Sequence, residues 1–201
     1  KWREMIYRKN PGLNGIEISL PVVTNALTHG LSMAGYLFLD EKDNLIMSDL
    51  NWDNYSLIFT EGYGANLLTF NTFANNEFDV YAMKKAIDKG GTGKKVILFN
   101  FPNNPSGYTP SHTLVISIVE AIKEAAEAGN KLVVICDDAY FGLVFEEGIE
   151  TQSIFASLAD LHENVLAVKL DGPTKEDYVW GLRIGFITYG IKGGTKDLYN
   201  A

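Results

Sequence analysis

Short runs of apolar residues alternate with segments of helical periodicity along most of this chain. The runs predict strands at residues 44–47, 66–70, 95–99, 132–136, 165–170 and 183–189. The segments between them predict helices at residues 25–39, 54–61, 79–88, 111–128 and 153–161. Strands that are apolar on both faces and alternate with helices are typical of a mostly parallel sheet covered by helices on both faces. The sequence therefore predicts the α/β class with three layers, α/β/α.

The length favours a single domain over residues 1–201. A chain of 201 residues can bury roughly 70% of its unfolded surface, and its turns are too short to be interdomain linkers. The chain begins with Lys1 rather than methionine and ends at Ala201. We therefore expect it to be part of a longer protein.

The composition argues against nucleic-acid and membrane partners. The formal net charge of −8 would repel nucleic acid and anionic membranes, and no apolar run suggests a signal peptide or membrane helix. The single cysteine, Cys136, ends an apolar run and is predicted to be a buried filler. His29, His112 and His162 lack the spacing of metal ligands. We expect a cytoplasmic protein without a metal site.

Polar residues come directly after three of the predicted strands. Asn100, Asp137 and Asp171 follow the apolar runs at 95–99, 132–136 and 165–170. In open α/β sheets, ligands bind at the carboxyl ends of the strands. The three segments that begin with these residues are therefore expected to contribute to one binding site.

The candidate segments each have a plain structural interpretation when taken alone. Asn103-Asn104-Pro105-Ser106-Gly107 has the residues of a tight turn. The acid Asp137 in Asp137-Asp138-Ala139-Tyr140 could be a turn former or a helix cap. Lys175 could be a solvated lysine in the turn Asp171-Gly172-Pro173-Thr174-Lys175, and Arg183 an exposed charge at the start of a strand.

In this order, the segments resemble motifs of the class I/II aminotransferases of fold type I, which use pyridoxal 5'-phosphate. The resemblance implies that Asn104 and Tyr140 bind the phenolic oxygen of the cofactor and that Asp137 pairs with its ring nitrogen. By the same resemblance, Lys175 is the Schiff-base residue and Arg183 binds the phosphate. The cofactor demands these residue types, because it needs an amine, a carboxylate for the pyridinium and a cation that matches phosphate oxygens.

Further positions follow from the same resemblance. Thr24 is predicted to open the first long helix, where it would bind phosphate or act as an ordinary N-cap. Trp52 matches the position of an aromatic residue that stacks on the cofactor, and a core tryptophan is the alternative. Gly172 stands where many relatives carry a serine, so Thr174 would have to supply the phosphate hydroxyl. We expect weaker phosphate binding than in a typical member.

The resemblance implies an aminotransferase that moves an amino group between an amino acid and a 2-oxo acid. A β-lyase on the same scaffold is one alternative, because the cofactor site does not fix which bond breaks. The aminotransferase-like sensor domain of a regulator is another. The family is expected to form homodimers and to carry small-domain parts that this chain lacks. We therefore expect the chain alone to bind cofactor weakly or not at all and to turn nothing over.

Overall fold

The computed structural model describes residues 1–200; Ala201, the last residue of the predicted domain, lies outside the described residues. The strands are β1 (Val22–Asn25), β2 (Asn44–Ser48), β3 (Asn66–Phe70), β4 (Phe73–Ala74), β5 (Glu77–Phe78), β6 (Lys94–Asn100), β7 (Lys131–Asp137), β8 (Val165–Asp171) and β9 (Ile184–Ile191). The α-helices are α1 (Trp2–Lys9), α2 (Ala26–Phe38), α3 (Val80–Asp88), α4 (His112–Glu127), α5 (Phe155–Leu158) and α6 (Lys196–Asn200). Short 3-10 helices span Pro11–Leu13 and Trp180–Leu182, and a π-helix spans Ser56–Glu61.

Seven of the strands form one sheet in the order β1-β9-β8-β7-β6-β2-β3. The neighbouring pairs β3–β2, β2–β6, β6–β7 and β7–β8 are all parallel. By contrast, β9 runs antiparallel to both of its neighbours, β8 and β1. The predicted mostly parallel sheet is therefore confirmed. Because β9 reverses the direction twice, β1 points the same way as β8, and its carboxyl end lies at the same edge of the sheet.

Helices cover both faces of the sheet, as predicted for three layers. Val134 and Ala167 point to the face covered by α1, α3, α4 and α5. Ile135 and Val168 point to the other face, where α2 and the π-helix pack. This alternation explains why the central strands have no polar face, since helices cover most side chains of β7 and β8 on both sides of the sheet.

Some elements differ from the sequence prediction. The prediction that Thr24 opens a helix is wrong, because Thr24 lies in β1 and α2 begins at Ala26. The helix predicted at 153–161 is shorter, with α-helical geometry only in α5. Cys136 is buried as predicted. Within residues 1–200, no helix has both the length and the apolar character needed to cross a bilayer.

Candidate active site

A cavity of about 200 Å³ opens at the carboxyl edge of the sheet. Seven of the eight predicted site residues line it: Trp52, Asn104, Asp137, Tyr140, Thr174, Lys175 and Arg183. The eighth, Thr24, does not line it. The buried hydroxyl of Thr24 instead donates a hydrogen bond to the carbonyl oxygen of Ala26 at 2.9 Å.

The topology of the sheet explains why these distant residues meet. Asn100 and Asp137 are paired at the ends of the neighbouring strands β6 and β7. Lys175 follows β8, and the antiparallel β9 begins at the same edge just after Arg183. On the far side of β9, β1 leads into α2, and the amide of Ala26 donates to the carbonyl oxygen of Arg183 at 2.8 Å.

Asn100 joins the segment of Asn104 to that of Asp137. Its side-chain amide donates to the main-chain carbonyl of Asp137 at 2.9 Å. Its side-chain oxygen accepts from the main-chain amide of Asn104 at 2.7 Å. The buried Asn100 therefore fixes two cavity residues relative to each other. Its position at a strand end in the sequence did not predict these two contacts.

Asp137 is a buried carboxylate held by two donors. Tyr55 donates its hydroxyl hydrogen to Oδ2 of Asp137 at 2.6 Å, and the amide of Ala139 donates to Oδ1 at 3.1 Å. Burial raises the pKa of Asp137 to about 6, although both hydrogen bonds oppose the rise. Burial and the neighbouring carboxylate raise the pKa of Tyr55 well above its ordinary value, so Tyr55 remains a donor at neutral pH. Each carboxylate oxygen retains a lone pair for a ring N–H in the cavity.

Lys175 and aromatic side chains occupy the mouth and walls of the cavity. The Nζ atom of Lys175 lies 5.4 Å from the centre of the Tyr140 ring, and the Lys175 side chain is exposed. Trp52 packs edge-on against Tyr55, with ring centres 5.6 Å apart. The cavity therefore combines a solvent-accessible amine with flat apolar surface that could cover a ring.

One part of the cavity wall is suited to an anion. Arg183, Thr174 and Thr28 line it together with the first turn of the 13-residue helix α2. Main-chain amides at a helix N-terminus carry partial positive charge and bind phosphate. Thr28, in that first turn, is therefore the threonine placed for an anion, whereas Thr24 is not.

Close packing explains the glycine at position 172. A Cβ atom at Gly172 would lie 2.7 Å from the carbonyl oxygen of Ile184 and 3.0 Å from a methyl group of Leu27. A serine there would clash with the backbone of β9. The hydroxyl of Thr174 lies 3.5 Å from the same carbonyl oxygen, and Thr174 contributes a hydroxyl from this segment to the cavity wall.

A second polar cluster lies behind the cavity, on the opposite face of the sheet. Lys169 is fully buried; it forms an ion pair with Asp138 and lies 3.4 Å from Oδ2 of Asp171. Ser153 also donates to Asp138, at 2.6 Å. Burial alone would lower the pKa of Lys169, but the two carboxylates outweigh burial and raise the pKa.

Sequence reasoning missed Tyr55, Thr28 and Lys169. Tyr55 follows Trp52 by three residues, a spacing that places both side chains on the same side of a helical turn. Thr28 lies in the first turn of α2, which was predicted to begin one residue too early. A lysine inside the apolar run at 165–170 was the available signal for Lys169, because such a residue must find acidic partners.

The comparisons with known proteins agree with this fold. The family model "Aminotransferase class I and II" matches residues 8–190. An aspartate aminotransferase of Thermotoga maritima is 27% identical over 87% of this chain, and a glutamate-pyruvate aminotransferase of Haemophilus influenzae is 23% identical over 90% of it. These matches cover 43% and 42% of the two relatives, so the chain spans less than half of their length. The crystal structure of an aminotransferase from Anaerococcus prevotii superposes on 98% of this chain and 49% of its own, with a TM-score of 0.83 and 27% identity.

The chain belongs to the class I and II aminotransferase family. Members of this family depend on pyridoxal phosphate. The cavity fits that group, since it presents a buried carboxylate, Asp137, for a protonated ring nitrogen. It also presents a free amine, Lys175, for the aldehyde and a cationic end at Arg183 for the phosphate.

Proposed function

We propose that the protein containing this chain is a pyridoxal-phosphate-dependent aminotransferase that moves an amino group between an amino acid and a 2-oxo acid. The observation that carries the proposal is the convergence of Lys175, Asp137 and Arg183 on one cavity from separate segments. Residues 1–201 are proposed to be its cofactor-binding large domain.

Bound pyridoxal phosphate would supply an aldehyde carbon that takes up amino groups and a ring that withdraws electrons. Lys175 Nζ would hold the cofactor at that carbon, and the same amine would carry a proton at the substrate α-carbon. Asp137 would keep the ring nitrogen protonated, and the hydrogen bond from Tyr55 would fix the orientation of the carboxylate. Asn104 and Tyr140 are proposed to bind the phenolic oxygen, and Trp52 to stack on the ring.

Arg183, Thr174, Thr28 and the N-terminus of α2 are proposed to hold the phosphate. With no side chain at Gly172, this group of donors lacks one hydroxyl. Weaker phosphate binding than in a typical family member therefore remains our prediction. A cofactor dissociation constant as low as those of well-saturated family members would contradict it.

Replacement of Lys175 by alanine tests the function directly. We expect the protein to form a borohydride-trapped adduct with pyridoxal phosphate at Lys175 and to make a new amino acid from an added 2-oxo acid. Lys175→Ala should abolish both, while Lys192→Ala, at an exposed lysine outside the cavity, should change neither. Release of ammonia without a new amino acid would instead identify a β-lyase. An adduct that persists in Lys175→Ala would refute the role of this lysine.

A homodimer in the cytoplasm is the assembly and location that we propose. Val22 and Val23 on the edge strand β1 and Trp180 and Leu182 beside the cavity are large apolar residues that are 55–67% exposed. Exposed apolar groups of this size are typical of protein interfaces. Sedimentation analysis tests the proposed dimer, because Val23→Glu should shift a dimer toward monomer. A monomeric parent protein would contradict the proposal.

A further inference from the structure

The segment that carries Lys175 is held at both ends by one helix on the far side of the sheet. Trp2 donates its indole hydrogen to Oδ1 of Asp171 at 3.0 Å, at the start of the segment. Lys9 donates to both carboxylate oxygens of Glu176 at 2.5 Å, directly after Lys175. The two bridges therefore flank the lysine on its two sides along the chain.

Trp2 and Lys9 are the first and last residues of α1. An α-helix rises about 1.5 Å per residue, so their Cα atoms are about 10 Å apart along a rigid axis. A rigid helix that contacts both Asp171 and Glu176 fixes the distance between these two positions of the connection that follows β8. The loop then has little freedom to move Lys175 toward or away from the cavity.

The helix α1 is itself anchored to the sheet. Ile6 is completely buried in the core, and the Trp2 ring stacks on Phe186 of β9 with centres 4.2 Å apart. The buried Asn10 accepts a hydrogen bond from the amide of Ser153 at 2.8 Å. Ser153 in turn donates to Asp138, which is next to Asp137 in the chain. The helix therefore has a fixed position relative to the cavity residues.

The Lys9–Glu176 pair is more enclosed than a surface ion pair. Their side chains are 29% and 27% exposed, whereas the Lys84–Glu124 pair between α3 and α4 is 44% and 61% exposed. The Glu176 carboxylate lies against Gly142, where any Cβ atom would collide with it. Glu176 therefore has a fitted site that restricts its position, unlike a freely solvated side chain.

Neither Trp2 nor Lys9 lines the cavity, so each can act on the chemistry only through the loop. We propose that Trp2 and Lys9 are positioning residues that hold Lys175 for attack on the cofactor aldehyde, through Asp171 and Glu176. This deepens the proposed function and rests on it. A reacting group displaced by about 1 Å can lose a hundredfold in rate, and release of one end of the loop should cost about tenfold.

The first experiment measures how freely the loop moves in the absence of cofactor. The amides of Asp177 and Tyr178 donate to the carbonyl oxygens of Pro173 and Lys175 at 3.0 and 3.4 Å, and their hydrogen exchange reports on the loop. Lys9→Met should speed exchange of both amides about tenfold. Lys84→Met, which removes the surface pair, is the matched control and should leave them unchanged.

The second experiment measures how fast Lys175 reacts. Apo protein is mixed with pyridoxal phosphate, quenched with borohydride at timed intervals, and the adduct at Lys175 is quantified by mass spectrometry. Lys9→Met should slow the adduct about tenfold, and Lys9→Arg should restore the rate because arginine can bind both carboxylate oxygens. Trp2→Phe keeps the stack on Phe186 but loses the hydrogen bond to Asp171, and should also slow the adduct.

The outcomes separate this inference from the function beneath it. A parent protein that forms no adduct at Lys175 refutes the proposed function and this inference together. An adduct that forms normally in the parent, and equally fast in Lys9→Met, overturns the positioning role alone. Unchanged amide exchange in Lys9→Met also overturns it, even if the variant melts at a lower temperature.

Discussion

The buried carboxylate of Asp137 should destabilise the cofactor-free protein at neutral pH. Its pKa is raised from 3.8 to about 6 in the folded protein, so the folded state binds this proton more tightly than the unfolded state does. The stabilisation is complete below about pH 4 and is lost as the pH rises through 6. The shift of about 2 pKa units corresponds to about 3 kcal/mol of unfolding free energy.

Asp137→Asn removes this titration. We expect the variant to lose a pH-independent amount of stability, because asparagine cannot accept both the Tyr55 and Ala139 hydrogen bonds on oxygen. However, the difference in free energy of unfolding between the variant and the parent should shift by about 2 kcal/mol in favour of the variant as the pH rises from 4.5 to 7.5. All other titrating groups are common to both proteins, so the difference isolates Asp137.

Urea unfolding of both cofactor-free proteins across this pH range provides the assay. Glu163→Gln, at an exposed acid, should follow the parent within about 0.5 kcal/mol at every pH. Parallel curves for Asp137→Asn and the parent would refute the reasoning, because they would mean that ionised Asp137 is not desolvated. Saturating pyridoxal phosphate should abolish or reverse the difference, since a pyridinium favours the charged carboxylate.

Two further predictions concern stability around the cavity. Lys169→Met leaves buried carboxylates without their cation and should lower the free energy of unfolding by about 3–5 kcal/mol. Calorimetry should show a melting temperature lower by on the order of 10 °C. A loss of stability as small as that of Lys84→Met would contradict this prediction. Gly172→Ser should cost about 1–3 kcal/mol by overpacking against Ile184 without tightening cofactor binding. Gly93→Ser is the control, because a Cβ atom at Gly93 meets open space. Tighter cofactor binding by Gly172→Ser in a titration would contradict the prediction, because it would show that the site accommodates the serine hydroxyl.

Local sequence patterns located the central strands because burial on both faces leaves a continuous apolar run. The strands predicted at 95–99, 132–136 and 165–170 extend by no more than one residue at either end in β6, β7 and β8. The helix α1 was not predicted, since Ile6 is its one buried residue and gives no periodic signal. The strand β1 was not predicted, and its residue Thr24 was expected at the start of a helix, because the pairing partner of β1, β9, lies far along the chain.

The candidate site was predictable where chemistry and motif coincide in one segment. Asp137, Lys175 and Arg183 each lie in such a segment, and the structure brings them to one cavity. Tyr55 was not predictable in the same way, because its contact with Asp137 spans 82 residues of sequence. The two bridges from α1 have even larger separations, and no local pattern contains them.

The antiparallel strand β9 has a consequence for engineering the chain. Lys175 and Arg183 lie in one hairpin connection between β8 and β9, so residues added or removed there would change the span between them directly. Asn104 follows β6 and Asp137 ends β7, and these parallel strands are joined through α4, a crossover whose length can vary while both strand ends stay in register. New termini for a circularly permuted or split version are therefore best placed after α4, and the β8–β9 connection is best left intact.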